Sequence, residues 1–225
     1  MAYGEIDFIS GLMNSGKTSE MIMQAHGVEE GGVAKALIIV PDTLGVAESG
    51  KHTPRAKLFN TNIDIVLQSA EVPSDRISAL IPKLGGRCLK AVFVDEAQFL
   101  SKEQVYDLAS FAHKHRDIDV KAFGLRTDYK LELFPGTEAL YAVANVIKIE
   151  KAKCYLCGSA NPFINTRRIN GDYNFDPSSD QVAVNNQGGI TYETDCLDCI
   201  EPIVNEMYER GEKIADSVLR VVGIK

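Results

Sequence analysis

The sequence has no tryptophan, only 8% aromatic residues and only four histidines in 225 positions. His26, His52, His113 and His115 share no ligand-like spacing with the cysteines, so they read as surface or helix-face residues and not as part of a metal centre. Long apolar runs are also missing: stretches such as Ala36 to Val40 and Ala91 to Val94 are far shorter than the ~20 residues of a membrane span. Basic residues are outnumbered, 24 Lys and Arg against 31 Asp and Glu, for a net charge of −7. That balance works against attraction to a phosphate backbone, and no nucleic-acid partner is expected. The opening residues Met1 to Glu5 lack the basic flank and apolar core of a secretory leader, so a cytoplasmic setting with reduced thiols is expected. No internal repeat or low-complexity segment occurs.

What is present suits a globular chain with one main core and a small appendage, since hydrophobic residues reach 45% and charged residues 24%. Up to about residue 150, short β-rich runs alternate with longer segments of helical period, the pattern of βαβ units around a mostly parallel sheet. The predicted strands are Glu5 to Ser10, Lys35 to Val40, Asp64 to Leu67, Ala91 to Asp95, Val120 to Phe123 and Val146 to Glu150. Ser101 and Gln104 fit a capping box, and Val105, Leu108, Ala109 and Ala112 follow at helical spacing. After Glu150 the chain becomes rich in Asn, Gly, Asp and Thr, which predicts a separate small module. From Ile200 the spacing of Ile203, Val204 and Met207 predicts a closing helix that packs back on a larger surface. The expected division is an α/β domain over 1–150 and a smaller domain with a C-terminal helix over 151–225.

Two motifs carry chemistry. Gly11-Leu12-Met13-Asn14-Ser15-Gly16-Lys17-Thr18 matches G-x-x-x-x-G-K-T between an apolar strand and a helical stretch. Its backbone N–H groups can face phosphate oxygens, the helix N-terminus favours negative charge, Lys17 can reach the β- and γ-phosphates, and Thr18 offers a hydroxyl to Mg²⁺. The partner site is Ala91-Val92-Phe93-Val94-Asp95-Glu96, where Asp95 ends a buried strand on the Mg²⁺ side and Glu96 is free to act as a general base. A charged strand end is the plainer alternative for that pair. Gln98 is counted with the ATP-binding residues.

The second motif is metallic. Cys154-x-x-Cys157 and Cys196-x-x-Cys199 form two thiolate pairs, which together make a closed tetrahedral site suited to structural zinc. A closed site leaves no open position for catalysis, and redox dithiols or core cysteines are the competing readings. Cys88 is left over and is expected to be a small buried apolar residue.

Taken in order, the glycine loop, Val94-Asp95-Glu96-Ala97-Gln98-Phe99, Phe123-Gly124-Leu125-Arg126-Thr127-Asp128-Tyr129 and the cysteine-tied loop resemble the zinc-containing (type II) thymidine kinases, from about Glu5 to Pro202. The resemblance implies an α/β fold of the P-loop (RecA-like) type, a mostly parallel sheet with helices on both faces, plus a small zinc-bound lasso domain. It implies transfer of the ATP γ-phosphoryl group to the 5′-hydroxyl of thymidine, giving dTMP, with Mg²⁺ at the phosphates and Glu96 as the base. Phe99, Tyr129 and Phe134 fall at aromatic positions lining the nucleoside pocket. Thr166, Val182, Val184 and Tyr192 match the lasso whose backbone groups hydrogen-bond the thymine. A homotetramer, and dTTP as a feedback inhibitor, also come from the resemblance.

Two departures stand out. The family usually has Asp-x-Arg after the second strand, whereas this chain reads Asp42-Thr43-Leu44, leaving Arg55 or another basic residue to substitute. Asn185-Asn186-Gln187-Gly188-Gly189 replaces a shorter glycine turn in the lasso. The same motifs would also serve a P-loop ATPase acting on nucleic acid through a zinc ribbon, or a nucleotide sensor without catalysis.

Overall fold

The computed structural model describes residues 4–42, 63–144, 146–150, 152–181 and 189–225. They form two compact units. The first takes Met1–Ser10, Gly16–Gly124 and Pro135–Ile149, and the second takes Gly11–Ser15, Leu125–Phe134 and Glu150–Lys225.

A six-stranded sheet, β1 (Ile6–Gly11), β2 (Ala34–Pro41), β3 (Ile65–Leu67), β4 (Cys88–Val94), β5 (Asp119–Leu125) and β6 (Val146–Glu150), organises the first unit in the order β3-β2-β4-β5-β1-β6. The pairs β2 with β3, β2 with β4 and β4 with β5 are parallel. All six predicted strands are present, most of them a residue or more off the expected bounds.

Period-2 alternation divides the strand side chains between two cores, as burial of both faces of a parallel sheet requires. Leu37, Ile39, Val92, Val94, Val120 and Ala122 join one cluster, whereas their neighbours Ala36, Ile38, Val40, Ala91, Phe93 and Phe123 join the other. Helices α2 (Pro73–Leu80), α3 (Lys102–Lys114) and α4 (Pro135–Val143) cover the first face through Ile77, Val105, Leu108, Phe111, Ala139 and Leu140. Helix α1 (Lys17–Glu29) covers the second with Met21, Ile22 and Ala25.

The capping box on α3 forms as expected. Ser101 Oγ accepts from the Gln104 N–H at 3.2 Å while Gln104 Oε1 accepts from the Ser101 N–H at 3.0 Å. Cys88 departs from expectation: as the first residue of β4 it is exposed, because the strand enters the core only where Leu89 turns inward.

In the second unit, β7 (Ile164–Ile169), β8 (Asp172–Tyr173) and β9 (Ile190–Asp195) form an antiparallel sheet in the order β8-β7-β9. Helix α5 (Leu197–Glu209) supplies Ile200, Val204 and Met207 to a core with Tyr129, Ile164, Phe175, Ile214, Val218 and Leu219, the last two from α6 (Asp216–Val221). The surface that the closing helix packs on is therefore this unit's own core. Among the described residues, no helix is long and apolar enough to cross a membrane.

Candidate functional site

The glycine loop turns out of β1 into α1. Gly16 has φ 83°, a left-handed conformation that a side chain disfavours, although an added Cβ would meet nothing within 4 Å. Backbone geometry, not space, selects glycine there. Asn14 is also left-handed at φ 57°, a role asparagine tolerates better than most residues.

In the first unit, Thr18 Oγ1 donates to both oxygens of Asp95, at 3.3 and 3.1 Å, so the first turn of α1 is tied to the end of β4. The Glu96 N–H also donates to Asp95 Oδ1, at 3.0 Å. Asp95 is 3% exposed. Burial, reinforced by the negative charge of Glu96, pushes its carboxyl up to about 7, against the opposing pull of these two donors and of Lys17. A carboxylate held this unwillingly in its charged form is well placed to welcome a cation.

Glu96 has φ 52° and ψ 39°, the left-handed region that costs a β-carbon-bearing residue about 1–2 kcal/mol. Strain of this kind persists where surrounding structure over-determines it, as at functional sites. Gln98 is part of that surrounding: buried to 1% exposure, it donates Nε2 to Glu96 Oε2 at 2.7 Å. Its own pocket needs two glycines. A Cβ on Gly124 would lie 2.8 Å from Gln98 Oε1, and one on Gly136 would meet the carbonyl oxygens of Ala97, Gln98 and Leu100 at 2.6 to 2.8 Å. Phe99 is half-buried on the same short 3-10 turn, Ala97–Phe99.

The second unit holds the other candidate residues. Tyr129 is 1% exposed, with the Arg167 guanidinium 3.9 Å above its ring and its hydroxyl donating to the carbonyls of Ser179 and Asp180 at 3.2 and 3.3 Å. Burial pushes that phenol up to about 12. Arg167 also donates to the Asp180 carbonyl at 2.8 Å, so ring and cation together grip the chain at 179–180. Phe134 is buried at 4% exposure and Tyr192 is half-buried on β9. Thr166 is fully buried, and its hydroxyl donates to Asp195 Oδ2 at 2.7 Å. Val182, Val184, Leu44, Arg55 and most of the 185–189 turn lie outside the described residues.

The four cysteines of the paired motifs do converge: the sulfurs of Cys154, Cys157, Cys196 and Cys199 all lie within 4.8 Å of one another. A tetrahedron with metal–sulfur bonds of about 2.3 Å has sulfur–sulfur edges of roughly 3.8 Å, and Cys157 and Cys196 already stand 3.7 Å apart. As bare thiols they conflict. The Ser159 N–H holds Cys157 below its ordinary range, burial raises Cys196, and the sulfurs of Cys196 and Cys157 raise Cys199. A divalent cation removes that conflict, so the donor set fits zinc, and the redox-dithiol reading does not account for four converging sulfurs.

Sequence reasoning missed three buried residues beside these. Asp195 accepts from Thr166, and from the Leu156 N–H at 3.3 Å inside the first cysteine knuckle. Arg167 holds Tyr129 and Asp180, and Asn165 reaches the glycine loop by accepting from the Met13 N–H. Asp195 directly precedes Cys196 and the other two flank Thr166, but nothing in their spacing marks them, because each acts by the partner it meets across the unit.

Comparison with known proteins agrees with this chemistry. A family model described as "Thymidine kinase" matches residues 4–200. A thymidine kinase of Rhizobium meliloti (strain 1021) is 35% identical over 154 residues, covering 65% of this chain and 72% of that protein. One of Lactococcus lactis subsp. lactis (strain IL1403) is 30% identical over 167 residues, covering 74% and 83%. One of Streptococcus pyogenes serotype M1 is 31% identical over 187 residues, covering 83% and 91%.

Proposed function

The chain belongs to the thymidine kinase family, and from that premise we propose how its residues carry out ATP-dependent phosphoryl transfer to the 5′-hydroxyl of thymidine. Glu96 takes the hydroxyl proton, the freed oxygen lone pair bonds to the γ-phosphorus, and the bridging oxygen leaves with its electrons on ADP. Gln98 acts through Glu96: its amide fixes the carboxylate and leaves the second oxygen, Oε1, to receive the proton.

The Met13 N–H is taken by Asn165, so the backbone N–H groups of the loop after it and the Lys17 ammonium hold the triphosphate. Thr18 and Asp95 are the residues that would hold Mg²⁺, which when bound would neutralise charge on the transferring phosphoryl group. The observation that carries this reading is the chain of hydrogen bonds from Thr18 through Asp95 to the Glu96 backbone, which fixes hydroxyl, carboxylate and base in one constellation.

Phe99, Tyr129 and Phe134 are the aromatic residues of the nucleoside side, with Thr166, Val182, Val184 and Tyr192 on the lasso. Zinc on Cys154, Cys157, Cys196 and Cys199 has a structural role only. In this reading residues 1–150 are the nucleotide-binding domain and 151–225 the zinc-tied lasso domain with its closing helix, although Gly11–Ser15 and Leu125–Phe134 belong to the second compact unit. The family resemblance further supports a cytoplasmic homotetramer inhibited by dTTP, with no nucleic-acid or membrane partner.

The test is ADP formation from ATP and Mg²⁺ with each nucleoside in turn, using single-stranded DNA as the control stimulant. Thymidine-dependent ADP with matching dTMP is the expected result, and it would also show that Leu44 is compensated. Turnover stimulated only by DNA would overturn the assignment, and so would nucleotide binding without turnover.

A further inference from the structure

Three consecutive buried residues on β7 each send a polar group to a different neighbour. Thr166 is bound by Asp195 and Arg167 by Asp180 and Asn174, while Asn165 serves the glycine loop. Asn165 is 2% exposed, and its amide is used at both ends. Oδ1 accepts the Met13 N–H at 2.8 Å, and Nδ2 donates to the Thr127 carbonyl at 2.8 Å. Exchanging the two atoms would set donor against donor and acceptor against acceptor, so the amide has a single satisfied orientation.

We propose that Asn165 is a positioning residue for ATP, holding the phosphate-binding loop in its binding conformation through the Met13 amide and braced by Thr127. The proposal rests on the reading of residues 11–18 as the triphosphate site. Met13 sits between buried Leu12 and left-handed Asn14, where the loop commits to its turn. Its N–H is spent on a side chain, so its task is to fix the loop's shape while the amides after it serve the phosphates. Without Asn165 the N–H is left unpaired, the loop drifts to other conformations, and ATP must reorder it on binding, which lowers affinity by the fraction of molecules in the competent shape. Thymidine binding is insulated from this change, because Thr166 is held separately by Asp195 and by its place in the β7–β9 ladder.

The experiment compares Asn165→Leu with wild type in the zinc-loaded full chain. It measures hydrogen exchange at the Met13 amide, ATP·Mg²⁺ binding without nucleoside, and the KM of each substrate. Leucine keeps the size and removes both hydrogen bonds. The expected result is loss of protection at Met13, ATP binding weaker by roughly tenfold, and an unchanged thymidine KM. Asn165→Ser, which shortens the side chain out of reach, should behave alike if the leucine variant fails to fold.

ATP affinity equal to wild type overturns the proposal, and so does parallel weakening of both substrates. Failure of both variants to reach wild-type zinc content and fold would show a purely structural residue and overturn it as well. Wild-type protein that binds ATP but lacks thymidine-dependent turnover would instead sink the kinase assignment, leaving the loop argument to be decided by the binding and exchange data.

Discussion

Replacing Glu96 by glutamine separates the proposed base from everything that positions it. The amide is isosteric, so its Oε1 can still accept the Gln98 Nε2–H that Glu96 Oε2 accepts at 2.7 Å. The left-handed backbone at residue 96 and the Thr18–Asp95 contact are untouched. ATP affinity should therefore stay at the wild-type value while kcat falls by about 10²–10⁴, the usual contribution of a positioned general base. Glu96→Gly provides the complementary arm: it loses the same base, and its relief of about 1–2 kcal/mol of left-handed strain is offset by the about 1–3 kcal/mol lost with the Gln98 contact, so it should match the glutamine variant in kcat without exceeding it in unfolding temperature. Steady-state kinetics with thymidine, direct ATP binding and thermal unfolding read out all three quantities. A glutamine variant that keeps kcat within about tenfold of wild type would refute the role of Glu96, since that loss is smaller than general-base catalysis provides.

Burial raises the folded-state pKa of Asp95 from 3.8 to about 7, so the folded protein binds the extra proton and loses stability relative to the unfolded chain as pH rises from about 4 to 7. Asp95→Asn removes that penalty: without nucleotide it should unfold several degrees above wild type at pH 8, the gap closing near pH 4, while Mg²⁺-dependent turnover collapses. Gly136→Ala would ordinarily strengthen a helix by about 0.5–1 kcal/mol. Here the added Cβ meets three backbone carbonyls at 2.6 to 2.8 Å, so chemical denaturation should show a loss of about 1–3 kcal/mol or more, with kcat falling as the Gln98 segment shifts. Chelation of zinc should raise hydrogen exchange across β7 and β9 and weaken thymidine binding before ATP binding, because Asp195 accepts hydrogen bonds from both the first cysteine knuckle and Thr166. Unchanged thymidine affinity in verified zinc-free protein would contradict this.

The nucleotide half of the candidate site was legible in the sequence because its parts are local. The glycine loop carries its own backbone requirements, Asp95 and Glu96 end an apolar run, and the Ser101–Gln104 capping box announces α3 within four residues. The cysteine pairs were legible for the same reason, since metal-ligand spacing within each knuckle is a short-range constraint. Six strands followed from β-rich runs, but the two-faced core did not: continuous apolar strands give no sign of which residues face which helix until pairing fixes their alternation.

The exposure of Cys88 belongs to that same gap, because burial at a strand's first residue depends on what covers it. Gln98 shows the gap at a site residue: its side chain meets Glu96 in space that Gly124 leaves open, and its backbone carbonyl lies where Gly136 leaves room, 26 and 38 residues further on. Asn165, Arg167 and Asp195 carry no motif. Their partners lie far along the chain, at Met13, Tyr129 and Thr166, and a buried amide, guanidinium or carboxylate takes its role from the donor or acceptor it meets. Sequence by itself determined the fold class, the glycine loop, the acidic pair and the cysteine pairs, because each rests on short-range geometry. Only the tertiary structure decided how the base, the loop and the lasso strand are held, because buried polar groups are satisfied across distances that spacing does not encode.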